Sequence, residues 1–114
     1  MSSKRDELIV KYAAHIKEKF GESADMDFLE KVAKGLGPAI YNKDASTVSG
    51  TDDKELETVK NNFLIKKLGM SDSPALMDGI NTVIEKYGSS ERSKYRAVVY
   101  YMLAKHFNKE SVYK

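Results

Sequence analysis

The sequence lacks cysteine, and only two of its 114 residues are histidine. Without cysteine the chain forms no disulfide, no thiolate zinc site and no cysteine nucleophile, which fits a reducing, cytoplasmic environment. The histidines, His15 and His106, are far apart in the sequence and do not form a cluster of metal ligands. We therefore expect no metal and no other cofactor. Helical spacing puts His106 on the inward face of the last helix, which predicts a neutral, hydrogen-bonded core residue.

No apolar run is long enough to cross a membrane. The longest covers the eight residues 97–104, whereas a spanning helix needs roughly 20. The first residues, 1–7, contain no apolar signal segment, and Ser2 is not the glycine that myristoylation requires. We therefore expect a cytoplasmic protein without membrane contact.

Apolar residues recur at helical spacing along most of the chain, and glycine, serine, aspartate or proline marks the ends of these segments. This pattern predicts an all-α fold, a compact single domain (1–114) built from five to six helices. The last helix is apolar on nearly all sides, so it belongs at the centre of the bundle, with Val99 and Met102 fully buried. The predicted helices are 4–20, 27–35, 52–67, 73–87 and 90–107, with a single turn at 38–42, a polar loop at 43–51 and a docked tail at 110–114.

Two short motifs favour helix ends over ligand sites. The Gly-Leu-Gly run at 35–37 follows a helix and precedes Pro38, whereas a phosphate loop follows a strand and presents N–H donors. Asp52 and Asp53 are adjacent, so they do not form the alternating oxygen cage of a calcium loop. We interpret the first motif as a corner between helices and the second as a helix cap.

The net charge of +2 is unevenly distributed along the chain. Residues 1–57 carry 9 Lys/Arg and 12 Asp/Glu, whereas residues 58–114 carry 10 and 5. A protein that binds nucleic acid by charge alone usually has a larger basic excess. The basic second half is therefore a weak indication of nucleic-acid binding.

Lys94, Tyr101 and Lys105 are the candidate binding residues. On a helical wheel they share one narrow strip of the last helix. Because the other directions of that helix are largely apolar, we interpret the strip as its solvent-facing line. The alternative is a basic and aromatic surface for single-stranded nucleic acid. If the helix serves a protein contact instead, Tyr101 is the expected anchor, since it combines a large ring with a polar tip.

A helix-turn-helix protein is a further alternative. In that case the helix at 73–87 supports the last helix, and Arg92, Lys94 and Arg96 contact DNA. Recognition helices expose polar side chains along one face, whereas the last helix is apolar almost all round. The pattern therefore favours a core helix.

Three blocks of the sequence carry a resemblance to a known family. They are residues 29–42 (LEKVAKGLGPAIYN), 55–69 (ELETVKNNFLIKKLG) and 94–105 (KYRAVVYYMLAK). Together they resemble a family of small bacterial proteins, the domain of unknown function 2853, over nearly the whole chain. The resemblance implies a compact helical fold and a bacterial, cytoplasmic origin. It implies no activity, ligand or catalytic residue.

No nucleophile, paired acid and base, or metal cluster emerges from the sequence, so we expect no enzymatic activity. The leading hypothesis is a non-enzymatic cytoplasmic module for protein interaction or regulation. Its partner is another protein or a second copy of the chain in a homo-oligomer. The alternative is a weak nucleic-acid-binding helical protein.

Overall fold

The computed structural model describes residues 4–42, 46–48, 52–88 and 94–113. Over these residues the fold is all-α apart from one two-stranded ladder, which confirms the predicted fold class. The α-helices are α1 (Lys4–Phe20), α2 (Met26–Leu36), α3 (Asp53–Val59), α4 (Pro74–Tyr87) and α5 (Arg96–His106). The shorter elements are the corner turn (Gly37–Tyr41), the π-turn (Lys60–Ile65), the tail turn (Glu110–Tyr113) and the strands β1 (Thr47–Val48) and β2 (Lys94–Tyr95).

Helix α5 lies at the centre of the bundle, where it contacts α1, α2 and α4. Val99 is fully buried, as its apolar surroundings in the sequence predict. Met102 is only half-buried, because it lines a shallow depression with Phe20 and Val83, and the prediction of full burial is wrong for this residue. The buried residues of α5 are Ala97, Val98, Val99, Tyr100, Tyr101, Leu103 and Ala104.

His106 is exposed, and its predicted place in the core is wrong. It points in about the same direction as Val99 around the helix axis, but it is the last residue of α5. Its ring packs edge-on against Phe107, with the ring centroids 4.8 Å apart, and lies next to Gly79 of α4. Direction around a helix does not bury a side chain that extends past the end of the core.

The ends of α1 and α2 follow their capping residues closely. Gly21 has a φ of +69° after the last residue of α1, the left-handed conformation that ends a helix. Helix α2 begins one residue earlier than predicted, because the carboxylate of Asp25 accepts a hydrogen bond from the N–H of Phe28 at 3.2 Å. The chain then enters the corner turn, which confirms that residues 35–37 mark a corner between helical elements.

The predicted third helix divides into α3 and the π-turn. Asp52 caps α3 by accepting a hydrogen bond from the N–H of Lys54 at 3.0 Å, as expected of a capping residue. In the π-turn, Phe63 and Leu64 are both buried. Phe63 stacks on Tyr100 of α5 with ring centroids 4.0 Å apart. A pattern with a 3.6-residue period does not predict this wider turn, because it assumes regular α-helical geometry throughout.

The start of α5 is six residues later than predicted, because Lys94 and Tyr95 are extended. They pair antiparallel with β1, Thr47 opposite Tyr95 and Val48 opposite Lys94. Strand β1 lies within the segment predicted to be a polar loop. Residues 43–45 and 49–51 of that loop lie outside the described residues, and so does the predicted helix start at 90.

Candidate functional site

The three candidate binding residues do not form an exposed strip. Lys94 belongs to β2 and is 4% exposed, and Tyr101 is 0% exposed. Lys105 is half-buried near the end of α5. The helical-wheel prediction is wrong for Lys94 because this residue precedes α5. It is wrong for Tyr101 because the segment before α2 covers that side of the helix.

Tyr101 and Lys105 instead join α5 to the segment between α1 and α2. The hydroxyl of Tyr101 accepts hydrogen bonds from the N–H of Asp25 at 2.8 Å and from Nζ of Lys105 at 3.3 Å. Nζ of Lys105 also lies 3.7 Å from a carboxylate oxygen of Glu22. Burial by itself lowers the pKa of Lys105, but the hydrogen bond to Tyr101 and the nearby carboxylates raise the pKa above its ordinary value. These contacts stabilise the positions of the helices.

A cleft of about 600 Å³ lies beside this network, and we call it the tail cleft. It is formed by the start of α2, the end of α5 and the tail turn. The ring of Tyr113 packs edge-on against Phe28 with centroids 5.5 Å apart, which confirms the predicted docking of the tail for this residue, whereas Val112 is exposed. Burial raises the pKa of Tyr113. The lining residues are Asp25, Asp27, Phe28, Lys31, Lys105, Asn108, Glu110, Ser111 and Tyr113.

A second cleft, of about 470 Å³, lies along one flank of α1, and we call it the α1 groove. Four of its residues recur at one-turn spacing on α1, so they lie in a row on the same side of the helix. The corner turn and β2 form the other wall. The lining residues are Lys4, Glu7, Leu8, Lys11, Ile40, Tyr41, Ser46 and Tyr95.

The α1 groove combines an apolar floor with an exposed rim. Ile40 is 4% exposed, whereas its neighbour Tyr41 is 53% exposed. The rim residues Lys4, Glu7 and Lys11 are exposed, and their side chains form no ion pair or hydrogen bond with other residues in the described ranges. The groove therefore presents a large ring and three charges that have no intramolecular partner in that part of the chain.

A cluster of aromatic side chains supports the wall of the α1 groove. Tyr12 is fully buried beneath it and packs edge-on against Tyr95 with centroids 5.0 Å apart. Burial, together with the nearby Tyr95 and Tyr41, raises the pKa of Tyr12 to about 12. The hydroxyl of Tyr87 accepts a hydrogen bond from the N–H of Tyr95 at 3.1 Å and lies 2.6 Å from Nδ1 of His15. His15 is thus hydrogen-bonded, and the position of Tyr95 is held by several contacts.

Two of the three residues assigned to DNA contact in the helix-turn-helix alternative, Lys94 and Arg96, are buried or paired within the molecule. Arg96 forms an ion pair with Glu55 of α3 and donates a hydrogen bond to the hydroxyl of Tyr100 at 3.0 Å. Burial opposes the charge of Arg96, but Tyr100 and Glu55 raise its pKa. Lys94 is buried, and Arg92 lies outside the described residues. Arg96 and Lys94 therefore do not form an exposed DNA-contacting end of α5.

The sequence did not indicate the α1 groove. The row of Lys4, Glu7, Leu8 and Lys11 is visible as one-turn spacing, but the same spacing occurs on any solvated helix flank. Tyr41 carried no signal beyond its place after the corner. The groove arises only when the corner turn and β2 are brought against α1.

The described ranges contain no group of three or more His, Asp or Glu side chains placed to hold a metal ion. Among the helices described here, none is long and apolar enough to cross a membrane.

No curated protein matches the chain. A family model described as "Protein of unknown function (DUF2853)" matches residues 11–111, which is most of the chain and includes the core of α1, α2 and α5. The match agrees with the resemblance carried by residues 29–42, 55–69 and 94–105. On this match, the chain belongs to the family of proteins of unknown function DUF2853.

Proposed function

We propose that the protein is a non-enzymatic interaction module that binds a segment of a partner protein in the α1 groove. The observation that carries the proposal is the exposure of Tyr41, 53%, directly beside the buried Ile40. Tyrosine is enriched among the residues that dominate the energy of protein interfaces, because its ring is large and its hydroxyl tolerates water.

Four large apolar side chains in the described ranges are substantially exposed: Val10, Met26, Tyr41 and Val112. Of these, Tyr41 is the one that lines a described cleft. An isolated exposed apolar residue is ordinary on a protein surface. At the α1 groove, by contrast, a partner side chain can fill the cleft over the apolar floor and contact the exposed ring at its edge.

The rim of the α1 groove favours binding over catalysis. Catalytic acids, bases and nucleophiles are usually activated by burial or by a close charged partner. Lys4, Glu7 and Lys11 are exposed, and within the described part of the chain they have no such partner. They therefore supply contacts and selectivity.

Weak nucleic-acid binding is the alternative, and the α1 groove supplies an observation in its favour. Tyr41 and the half-buried Tyr95 lie in one cleft with Lys4 and Lys11, the combination of rings and cations that single-stranded nucleic acid uses. Glu7 lies between the two lysines and repels phosphate. We therefore rank this function second.

Affinity capture with three forms of the chain tests the proposal. The bait is the parent, Tyr41→Ala or the control Met26→Ala, which removes an exposed apolar side chain outside the groove. We expect the parent and the control to capture the same protein from an extract of the producing cells, and Tyr41→Ala to lose it. Nuclease treatment should not change the result. Equal capture by all three forms would contradict the groove as the site, and loss on nuclease treatment would favour the alternative.

A further inference from the structure

We propose that the segment bound in the α1 groove is an amphipathic helix with two acidic residues two turns apart and a basic residue between them. This inference rests on the proposed function and specifies its partner. It follows from the order of charges along α1 and from the apolar floor beneath them. The same order of charges disfavours nucleic acid and a second copy of the chain as occupants.

The charges of the groove alternate in sign along one flank of α1. Lys4, Glu7 and Lys11 are one turn apart in succession, so the two lysines are separated by about 10.5 Å along the helix axis. A second helix lying beside α1 repeats the same spacing. With acidic residues at its positions i and i+7 and a basic residue at i+3 or i+4, it pairs with all three rim charges.

The apolar floor of the groove requires an apolar face on the partner helix. Leu8 and Tyr95 are half-buried and Ile40 is buried, and all three line the groove. An apolar side chain one turn from the partner's basic residue reaches this floor, where Tyr41 can close over it from the rim. The groove therefore selects apolar residues in the middle and charges along one edge, which is the pattern of an amphipathic helix in a groove.

The alternating charges disfavour the two other occupants. Single-stranded nucleic acid carries a negative charge on every nucleotide, so Glu7 opposes the phosphate that would lie nearest to it. A second copy related by a two-fold axis near Leu8 would pair α1 with itself in antiparallel orientation. That arrangement places Lys4 of each copy opposite Lys11 of the other. The two resulting contacts between like charges are unfavourable.

Two synthetic peptides of 18 residues test the inference on the full chain. The first is a Leu-based amphipathic helix with Glu, Lys and Glu at i, i+3 and i+7, and the second is identical except for Lys, Glu and Lys at those positions. Fluorescence anisotropy measures their affinities at low and high salt, and amide NMR shifts show whether Leu8 and Tyr95 respond. We expect the first peptide to bind the parent about tenfold more tightly, since three exposed ion pairs each contribute a factor of about two.

Charge exchange supplies the decisive variant. The triple variant Lys4→Glu, Glu7→Lys, Lys11→Glu reverses every rim charge at exposed positions, and we expect it to prefer the second peptide. The control Lys54→Glu, Lys66→Glu changes two exposed lysines outside the groove and should keep the parent's preference. Far-ultraviolet circular dichroism confirms that each variant is folded.

The outcomes separate this inference from the proposed function. Equal binding of both peptides, or an unchanged preference in the triple variant, overturns the inference while partner capture through Tyr41 still stands. Tighter binding of a single-stranded oligonucleotide that displaces the first peptide also overturns it, in favour of nucleic acid. If Tyr41→Ala captures the same proteins as the parent, the proposed function fails irrespective of the peptides.

Discussion

The Tyr101–Lys105 network beside the tail cleft and the rim of the α1 groove contain the same residue types, but only the network is held by contacts within the molecule. Each region includes a lysine and lies beside a fully buried tyrosine, Tyr101 near the tail cleft and Tyr12 near the α1 groove. In the network, the hydroxyl of Tyr101 accepts hydrogen bonds from Lys105 and from the N–H of Asp25, and Lys105 forms an ion pair with Glu22. In the α1 groove, Tyr41 is exposed and Lys4 and Lys11 have no side-chain partner in the described ranges. Residue type therefore does not show which tyrosines and lysines are held by contacts within the molecule, whereas the tertiary structure does.

The largest expected difference between the two regions is in stability. Tyr101→Ala removes a fully buried ring and should lower the free energy of unfolding by about 3–5 kcal/mol. Tyr41→Ala removes an exposed ring and should change it by less than about 0.5 kcal/mol. Urea denaturation followed by circular dichroism measures both values. Similar losses in the two variants would show that Tyr41 is part of the core and that the comparison is mistaken.

Alkaline pH should reveal how much Tyr12, buried beneath the α1 groove, contributes to stability. The pKa of Tyr12 is raised to about 12, above the 10.0 of an unburied tyrosine. Below pH 10 the ring is neutral in both states, so its contribution to stability is complete. As the pH rises to 12 the unfolded chain releases the proton first, and stability falls by about 2 kcal/mol. Tyr12→Phe should flatten this decline in pH-dependent unfolding, whereas the control Tyr41→Phe should not.

Removing the hydroxyl of Tyr101 tests the hydrogen bonds of the network without deleting the ring. Tyr101→Phe leaves the N–H of Asp25 and the ammonium of Lys105 without their shared acceptor. We expect a loss of about 1–2 kcal/mol in the free energy of unfolding, against almost none for Tyr41→Phe. Thermal unfolding of the two variants gives the comparison. A neutral Tyr101→Phe would mean that solvent replaces both hydrogen bonds.

The smallest expected effect is the difference in stability between lysine substitutions in the two regions. Lys105→Gln breaks contacts with Glu22 and Tyr101 and should cost about 0.5–1 kcal/mol, since the pair is partly exposed to solvent. The raised pKa of Lys105 means that this contribution is present at neutral pH and is lost as the pH rises past the pKa of the folded state. Lys4→Gln with Lys11→Gln should change stability less than Lys105→Gln at pH 7. Chemical denaturation at pH 7 and pH 11 measures both differences, and equal effects at pH 7 would contradict the distinction.

Helix existence was predictable because it depends on local signals. Gly21 ends α1 and Asp52 caps α3 through interactions within a few residues, and both were read from the sequence. The beginning of α5 was not predictable in this way. Lys94 and Tyr95 are extended because β1, more than 40 residues earlier, supplies their pairing partners.

The candidate site was predictable only in part, for the same reason. Helical spacing correctly placed Val99 in the core, but it assigned Tyr101 to solvent because a wheel contains no information about which segment covers a face. Tyr41 was not singled out because its place in the α1 groove depends on its position opposite α1, and no local sequence pattern specifies that position.

By itself the sequence determined the all-α class, the central position of α5 and most helix ends, because spacing, capping and apolar content act over one or two turns. Only the tertiary structure decided which tyrosines and lysines form contacts within the molecule and which remain available to a partner. That distinction depends on residues far apart in the chain: Asp25 and Glu22 reach Tyr101 and Lys105 on α5, while the corner turn sets Tyr41 beside α1. Long-range packing positions these groups, and local propensity does not encode it.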